Sequence, residues 1–564
     1  MDGKLSPALF ETRVLSSLSK VFADEDLSDS PVGSGTALWK EVYSFQVAYR
    51  SYKSIRGLTV RVNSPLTPYI TLRAVGLAPS ELPVFAETDA NYLRTTPGLY
   101  PDPLYPASDG VLDALPGQWR SVWATIELPS LEEAAASGLN LKAGEALLIE
   151  LEFTAPDGER LGGASHELII IPAELPEQKL LYTNWFHCDC LATQYNVEIF
   201  SEQHWLLIER YMENAARHGM NMALTPLFTP PLDTAIGGER PTVQLVGVTL
   251  TDDGQYRFDF SLLERWIEMC DKVGIRYYEF SHLFTQWGAR HAPKIIATTA
   301  DGERRIFGWE TDAGSEEYRQ FLDAFLPELV RFIQAHGLEK VSYFHVSDEP
   351  GVDHMPAYRQ ASEMLRSHLS EFAFIEALSD YDFYESGLVP IPIPANNHIE
   401  PFLENGVDPL WTYYCCGQTV DVANRLFSMP SARNRVLGLQ LYKFNIQGFL
   451  HWGYNFWYTQ HSLRAIDPFR VTDSGCAFPS GDAFVVYPGE DGPLDSIRWE
   501  VFREGLQDLR ALELLGSLRG KEATVALLEA EMKERLTFSK YPVSIEELLD
   551  IRHRVNQMIA ESIG

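Results

Sequence analysis

The chain has 564 residues, of which 45% are hydrophobic and 12% aromatic, so it has enough apolar material for two or three buried cores. It is too long for one ordinary domain, and we expect a multidomain globular protein. The formal net charge of −32, together with the lack of any Lys- or Arg-rich run, argues against nucleic acid and anionic membranes as partners.

Short alternating runs separated by turn residues fill the chain from about residue 38 to residue 172. They lie at residues 43–49, 70–75, 119–126, 147–153 and 166–171. Alternation with a period of two, broken by turn signals, is typical of an antiparallel β-sandwich. We therefore predict a β-sandwich domain over residues 1–175, which ends in the proline-bounded linker 172–176.

After this linker, strand patterns alternate with helical patterns, which is the order of a parallel sheet with crossover helices. We predict eight strands, at residues 179–186, 220–228, 275–284, 341–346, 372–378, 391–395, 410–415 and 449–457. The helical patterns between them lie at residues 201–218, 262–273, 316–336, 356–369 and 432–447. Eight such repeats favour a (β/α)8 TIM barrel over an open sheet, and we assign the barrel to residues 176–490.

Beyond residue 490 the sequence becomes strongly helical. Residues 497–518, 522–537 and 545–563 carry apolar stripes at helical spacing. We predict a C-terminal helical region over residues 491–564 that packs on the barrel. The expected fold class is therefore multidomain: a β-sandwich, a TIM barrel and a C-terminal helical extension.

Residues 1–22 mix charged with apolar residues, unlike the continuous hydrophobic core of a secretory signal. No segment approaches the ~20 apolar residues of a membrane span. We expect a cytoplasmic protein without membrane insertion. The alternative is a protein whose leader has been removed.

Six cysteines in a chain of this length do not make a disulfide framework, and we expect them to be reduced. The segment 187–190, His-Cys-Asp-Cys, has the residue types of a metal site, but no second ligand pair at zinc spacing accompanies it. We expect neither a metal ion nor another cofactor, and a metal-dependent hydrolase is the most distant alternative.

The most informative segment is 340–350, Lys-Val-Ser-Tyr-Phe-His-Val-Ser-Asp-Glu-Pro, in which an extended run ends in two adjacent carboxylates. Pro350 has no amide hydrogen to give to a sheet, so it fixes the end of strand four at this acidic pair. Catalytic residues collect at the carboxyl ends of barrel strands, and we predict that Asp348 and Glu349 are catalytic. The alternative is a surface pair that precedes a helix, where acidic residues are favoured.

Strand seven bears on the mechanism. Many retaining glycosidases built on barrels carry an acid/base glutamate at strand four and a nucleophilic glutamate at strand seven. Residues 408–417, Asp-Pro-Leu-Trp-Thr-Tyr-Tyr-Cys-Cys-Gly, have no carboxylate at their carboxyl end. A glycosidic bond can still break if the sugar's own 2-acetamido oxygen attacks the anomeric carbon. Glu349 then acts as acid and later as base, while Asp348 accepts a hydrogen bond from the acetamido N–H.

The acidic pair carries two further expectations. Two close carboxylates cannot both ionise cheaply, so one pKa should be raised, and we expect Glu349 to be the protonated member. Neighbours on a regular strand point to opposite sides, so both can face a pocket only if the chain leaves β geometry at Ser347 or Asp348.

Aromatic and polar residues at the other strand ends are expected to form a sugar-binding surface. The predicted substrate-binding residues are Trp185, His187, His282, Trp287, Tyr413, Tyr414, Trp452, Tyr454, Asn455 and Trp457. For any one of these aromatic residues, packing in the core is the alternative.

Four segments resemble the glycoside hydrolase family 123 group and the related DUF4091 proteins. They are residues 344–350, Phe-His-Val-Ser-Asp-Glu-Pro; 448–457, Gly-Phe-Leu-His-Trp-Gly-Tyr-Asn-Phe-Trp; 487–489, Tyr-Pro-Gly; and 496–508, Ser-Ile-Arg-Trp-Glu-Val-Phe-Arg-Glu-Gly-Leu-Gln-Asp. The resemblance implies a β-sandwich, a (β/α)8 barrel and exo-acting β-N-acetylgalactosaminidase activity by substrate-assisted retention. It also implies the acid/base role for Glu349 and the acetamido-stabilising role for Asp348.

The expected partner is an oligosaccharide or glycoconjugate substrate, and the sequence predicts no particular oligomeric state. Two alternatives remain open. One is a glycosidase that takes another sugar with the same acidic pair. The other is a non-catalytic carbohydrate-binding protein in which the pair is structural.

Overall fold

The computed structural model describes residues 9–107, 111–139 and 144–563. These residues form two compact units. The first unit draws on 1–178, 423–443 and 494–564, and the second on 179–422 and 444–493. The helical residues after 493 thus group with the N-terminal sheets; the sequence predicted a separate helical region packed on the barrel. The domain boundaries at 175 and 490 stay predictions.

The described residues contain 24 strands and 13 α-helices. The strands are β1 (Phe10–Ser16), β2 (Ser34–Trp39), β3 (Val42–Ser51), β4 (Ile55–Asn63), β5 (Ile70–Ser80), β6 (Gly98–Pro106), β7 (Val111–Ala114), β8 (Trp119–Glu127), β9 (Ala146–Thr154), β10 (Arg160–Glu174), β11 (Leu181–Asn184), β12 (Met222–Thr225), β13 (Gly247–Leu250), β14 (Tyr256–Asp259), β15 (Tyr277–Phe280), β16 (Ile295–Thr299), β17 (Gly302–Phe307), β18 (Ser342–Phe344), β19 (Ala373–Leu378), β20 (Ile391–Pro394), β21 (Trp411–Tyr413), β22 (Gly448–His451), β23 (Tyr487–Pro488) and β24 (Pro493–Leu494). The helices are α1 (Leu131–Ala136), α2 (Cys188–Tyr195), α3 (Glu202–Arg217), α4 (Ser261–Val273), α5 (Glu316–Ala335), α6 (Met355–Leu369), α7 (Asp382–Glu385), α8 (Glu400–Glu404), α9 (Ser431–Arg435), α10 (Leu437–Lys443), α11 (Ile497–Arg519), α12 (Lys521–Met532) and α13 (Ile545–Ile563).

The first unit is built on two five-stranded sheets, with the strand orders β1-β3-β8-β5-β6 and β2-β10-β9-β4-β7. Neighbouring strands run antiparallel, except that β2 and β10 pair in parallel. Strand β9 shows why they form a sandwich, because every second side chain from Leu147 to Phe153 is buried and its neighbours are exposed. Both sheets contribute to one apolar core, which confirms the predicted β-sandwich.

The C-terminal helices of this unit contact the sandwich through ionic and polar side chains. Arg552 of α13 binds Glu41, between β2 and β3, and Asp508 of α11, at 2.6 Å in both cases. Asn556 of α13 donates to the carbonyl of Thr36 on β2, at 3.2 Å. The predicted helices at 497–518, 522–537 and 545–563 are thus present, although α12 ends at Met532.

The second unit contains an eight-stranded parallel sheet with the order β20-β19-β18-β15-β12-β11-β22-β21. In chain order these are barrel strands one to eight: β11, β12, β15, β18, β19, β20, β21 and β22. A parallel bridge between Ala395 and Tyr413 joins strand six to strand seven and closes the barrel. The predicted (β/α)8 barrel is therefore confirmed, and its interior is filled by apolar side chains such as Met222, Leu224 and Ile393.

Each predicted barrel strand overlaps an observed one, and strand eight differs most. It ends at His451, whereas the prediction continued it to residue 457. The segment 452–457 is a buried irregular loop, and a short buried run has the same apolar composition in a loop as in a strand. A four-stranded sheet of β14-β13-β16-β17, inserted after strands two and three, was not predicted.

Among the described helices, none combines the length and the apolar content that a membrane crossing requires.

Candidate active site

A cavity lies at the carboxyl ends of the barrel strands, where a TIM barrel carries its chemistry. It encloses about 690 Å³, including open solvent at its mouth. Seven of the twelve predicted site residues line it: Trp185, His187, Trp287, Asp348, Glu349, Tyr413 and Trp452.

The acidic pair reaches this cavity because the chain leaves β geometry early. Strand four ends at Phe344, and residues 345–350 are irregular. Glu349 has a φ of +44°, a left-handed conformation that is strained for a residue other than glycine. As a result both Asp348 and Glu349 face the same cavity. The expected departure from β geometry is confirmed, although it begins at His345, before the predicted Ser347.

The two carboxyl groups have different surroundings. Asp348 is half-buried and Glu349 is exposed. Burial, the negative charge of Glu349 and then that of Glu376 raise the pKa of Asp348 well above its ordinary value. We expected a raised pKa in this pair but assigned it to Glu349, whereas the structure places it on Asp348, the deeper of the two.

Tyr413 stands on strand seven, where many retaining glycosidases carry their nucleophile. Its hydroxyl donates to Oε1 of Glu349 at 2.6 Å. Burial and the charge of Glu349 raise the pKa of Tyr413 well above its ordinary value, so the phenol stays protonated and remains a donor. Strand seven thus supplies a group that orients the acid and no carboxylate.

Three other cavity residues present ring surfaces, because their polar atoms are bound inside the protein. The indole N–H of Trp185 donates to Oε1 of Glu279 at 2.7 Å, and that of Trp452 donates to Oδ2 of Asp482 at 2.9 Å. His187 accepts from Arg240 at Nδ1 (3.1 Å), and its Nε2 lies 3.0 Å from the carbonyl of Trp452.

His187 therefore carries its proton on Nε2 and is neutral. Burial and the charge of Arg240 lower the pKa of His187 to about 3. We predicted that His187 binds the substrate, but it has no ring nitrogen left for a ligand. It forms an apolar wall instead.

The segment 187–190 forms an ion-pair network. Arg240 donates to both oxygens of Asp189, at 2.9 and 2.7 Å, and both side chains are about 2% exposed. Cys188 and Cys190 are buried thiols whose pKa values burial raises. Because Asp189 is neutralised by arginine and His187 has no free nitrogen, two of the four candidate ligands of the metal-dependent alternative are already engaged.

Five predicted substrate-binding residues lie in the interior, with 0–1% of their surface exposed: His282, Tyr414, Tyr454, Asn455 and Trp457. In this conformation they cannot touch a ligand, which corrects the prediction that they contact the sugar. These five residues support the residues that line the cavity. The Asn455 side chain, for example, bonds both the amide and the carbonyl of His187, at 2.8 and 3.1 Å.

The sequence reasoning missed several cavity residues that lie in loops, among them Asp233, Gln286, Phe478 and the pair Cys415–Cys416. Gln286 accepts from the amide of Asp233 at 2.5 Å, which joins the loops after strands two and three. Burial raises the pKa of Asp233. Such loop residues have no periodicity, and the one available signal was that Gln286 precedes the predicted Trp287.

Comparison with known families gives a match over more than half of the chain. The family "Glycoside hydrolase 123, catalytic domain" matches residues 185–515. Comparison with curated protein sequences gives no significant match.

A solved structure shows the same fold. A family 123 glycoside hydrolase from Clostridium perfringens, studied for glycolipid glycan hydrolysis, aligns with a TM-score of 0.71 at 15% identity, over 98% of this chain and 98% of that chain. A β-D-glucuronidase of Dictyoglomus thermophilum aligns with a TM-score of 0.35 at 10% identity, over 90% of this chain and 98% of that chain. A family 10 xylanase from termite gut scores 0.33 at 11% identity, over 85% and 100%. The last two scores are too low to support an inference.

Proposed function

Because the chain belongs to glycoside hydrolase family 123, we propose that it releases terminal β-linked N-acetylgalactosamine by substrate-assisted retention. The observation that carries this proposal is the arrangement of Asp348, Glu349 and Tyr413 around one cavity. Two carboxyl groups that are adjacent in sequence line this cavity, while strand seven offers a phenol in place of a nucleophile.

In the first step the acetamido oxygen of the bound sugar attacks C1, and the bond from C1 to the leaving oxygen breaks. The raised pKa of Asp348 favours one proton on the pair, and the proposed mechanism requires this proton to lie on Glu349 when the sugar is bound. Glu349 then gives it to that leaving oxygen. Asp348 accepts a hydrogen bond from the acetamido N–H and stabilises the oxazolinium ion as it forms.

In the second step Glu349, now a carboxylate, takes a proton from water, and the water oxygen attacks C1. The oxazolinium ring opens, the acetamido group is restored, and two inversions leave the anomeric configuration unchanged.

A third carboxyl group, Asp233, also lines the cavity. Its Oδ2 accepts from the amide of His461 at 2.9 Å, and its raised pKa favours the neutral form. Because one of its oxygens is held by that amide, we assign Asp233 to contact with sugar hydroxyls.

Trp287 is assigned to the leaving-group side. It is 41% exposed, lines the cavity beside the exposed Glu349, and its amide donates to the carbonyl of Asp348 at 3.0 Å. An exposed indole next to the acid offers an apolar face to the group that leaves.

The test is hydrolysis of paired aryl β-N-acetylgalactosaminide and β-N-acetylglucosaminide reporters by the purified protein, with Glu349→Gln as the control. We expect turnover of the galacto reporter and, for a reporter with a poor leaving group, its loss in the variant. Turnover of β-glucosides or β-galactosides, which lack the acetamido group, would support a glycosidase of another specificity. If Glu349→Gln changes neither ligand binding nor the result of any activity assay, the outcome would support a non-catalytic binding protein.

A further inference from the structure

Beneath the cavity lies a buried charged layer formed by Glu279 of β15, His345 and Glu376 of β19, each with 2% or less of its surface exposed. His345 binds Glu279 at 2.6 Å through Nε2 and Glu376 at 3.2 Å through Nδ1. Burying charges is costly unless they are paired, and here each charged group has a partner.

The other oxygen of Glu376 is turned toward the catalytic segment. Oε2 of Glu376 accepts from the backbone amides of Val346 and Ser347, at 3.0 and 3.1 Å. It also accepts from the Tyr358 hydroxyl of α6 at 2.8 Å. These two amides lie after the end of strand four, where the hydrogen bonds to the neighbouring strand stop. A buried amide still needs an acceptor, and the Glu376 side chain provides it.

We infer that Glu376 is a positioning residue, which holds the irregular turn 346–349 so that Asp348 and Glu349 both face the cavity. The strained Glu349, at φ +44°, needs surroundings that fix it, and the bonds to residues 346 and 347 act immediately before it. This inference rests on the proposed function for its kinetic test.

His345 supports this role by keeping a positive charge beside Glu376. Burial opposes that charge, but the hydrogen bonds to Glu279 and Glu376 outweigh it and raise the pKa of His345 to about 10. The imidazolium thus persists at neutral pH and balances one of the two buried carboxylates.

A metal ion would be another reading of this layer, since ligand atoms of His282, His345 and Glu376 lie within 4.8 Å of one another. The rings of His282 and His345 stack, however, with centroids 4.3 Å apart and planes inclined by 27°. An ion binds in the plane of each imidazole that it contacts, and two stacked rings do not share such a point. Hydrogen bonding accounts for His345 and Glu376, and stacking accounts for the ring of His282.

The kinetic test compares Glu376→Ala with Glu376→Gln. The alanine variant loses both amide contacts, and we expect kcat to fall by about 100-fold with little change in KM, the effect of moving catalytic groups by ~1 Å. Glutamine keeps an oxygen within reach of the amides, so it should restore kcat to within about tenfold of wild type. Glu371→Gln, an exposed glutamate just before β19, is the matched control and should leave kcat unchanged.

A folded Glu376→Ala protein with wild-type kcat would overturn the inference, because a merely structural residue changes thermal stability and not turnover per folded molecule. Hydrogen exchange of the wild-type protein gives a second test that needs no variant and no substrate. The amides of residues 346 and 347 should exchange as slowly as those of barrel strands, and fast exchange would also refute the inference. A wild-type protein that hydrolyses no N-acetylhexosaminide would instead refute the proposed function.

Discussion

Replacing Asp348 by asparagine tests the mechanism at its most specific point. The change keeps the size of the side chain but removes the carboxylate that, in the proposed mechanism, faces the oxazolinium charge. Asp348 is half-buried, so an effective dielectric constant of ~20 applies, and two unit charges ~4 Å apart interact there by ~4 kcal/mol. Loss of one preorganised electrostatic contact typically costs ~10²–10³-fold in kcat. We therefore expect Asp348→Asn to lower kcat by about 10²–10³-fold.

The assay measures kcat for a series of aryl β-N-acetylgalactosaminides whose leaving groups differ in acidity. Asp348 acts at the acetamido group, so the loss should be the same for good and poor leaving groups. Wild-type kcat in Asp348→Asn, or a loss confined to poor leaving groups, would refute the assigned role. Stability supplies a control: an aspartate whose folded pKa is raised destabilises the fold as pH rises above its unfolded pKa of ~3.9. Asparagine has no such cost, so the variant should unfold at the same or a higher temperature at pH 7.

Four further outcomes are expected. Glu349→Gln should lower kcat by about 10²–10⁴-fold for poor leaving groups and much less for good ones, and an equal loss for both would contradict its role as the acid. A thiazoline mimic of the cyclised sugar should bind at least 100-fold more tightly than N-acetylgalactosamine in competition assays, and equal affinity would point to an enzyme-borne nucleophile. Trp287→Ala should raise KM for substrates with a large leaving group and leave kcat for small aryl substrates within about threefold, whereas an equal effect on both would remove it from the leaving-group side. Lys20 donates to the carbonyls of Phe427 and Met429 at 2.8 and 2.7 Å, and burial lowers its pKa to about 7. The folded protein therefore holds Lys20 neutral over a pH range in which the unfolded chain, with a pKa of ~10.4, holds it charged. As a result the free energy of unfolding falls as pH falls from ~10.4 through 7. The urea midpoint should therefore rise between pH 7.5 and 9.5, and the rise should shrink in Lys20→Met.

The fold was predictable because its repeating elements have a period. The alternation in β9 marks one face of a sandwich, and the order of strands and helices after residue 178 fixes a barrel. The acidic pair was predictable for a related reason: Pro350 and two carboxylates mark a strand end, and strand ends in a barrel converge on one mouth.

The rest of the site depends on contacts between residues far apart in the sequence. Arg240 lies in a loop without hydrophobic periodicity and donates to His187 at 3.1 Å. This contact occupies a ring nitrogen of His187, which therefore lines the cavity without binding a sugar hydroxyl. Asn455 and Trp457 have the composition of a sugar-binding surface, yet they lie behind it because strand eight ends at His451. A sequence pattern indicates burial, but it does not separate a cavity wall from the layer behind it.

Strand seven shows how the arrangement limits the chemistry. The phenol of Tyr413, whose raised pKa keeps it protonated, cannot serve as the nucleophile while it donates to Glu349. Asp233 is held through one oxygen by the amide of His461, and in the proposed mechanism the attacking atom comes from the substrate. Direct attack by water requires a base opposite the acid, usually with ~6.5–9.5 Å between the two carboxyl groups. Asp348 and Glu349 are adjacent on one turn, and the proposed attack by the acetamido oxygen needs no carboxylate on the opposite face of the sugar.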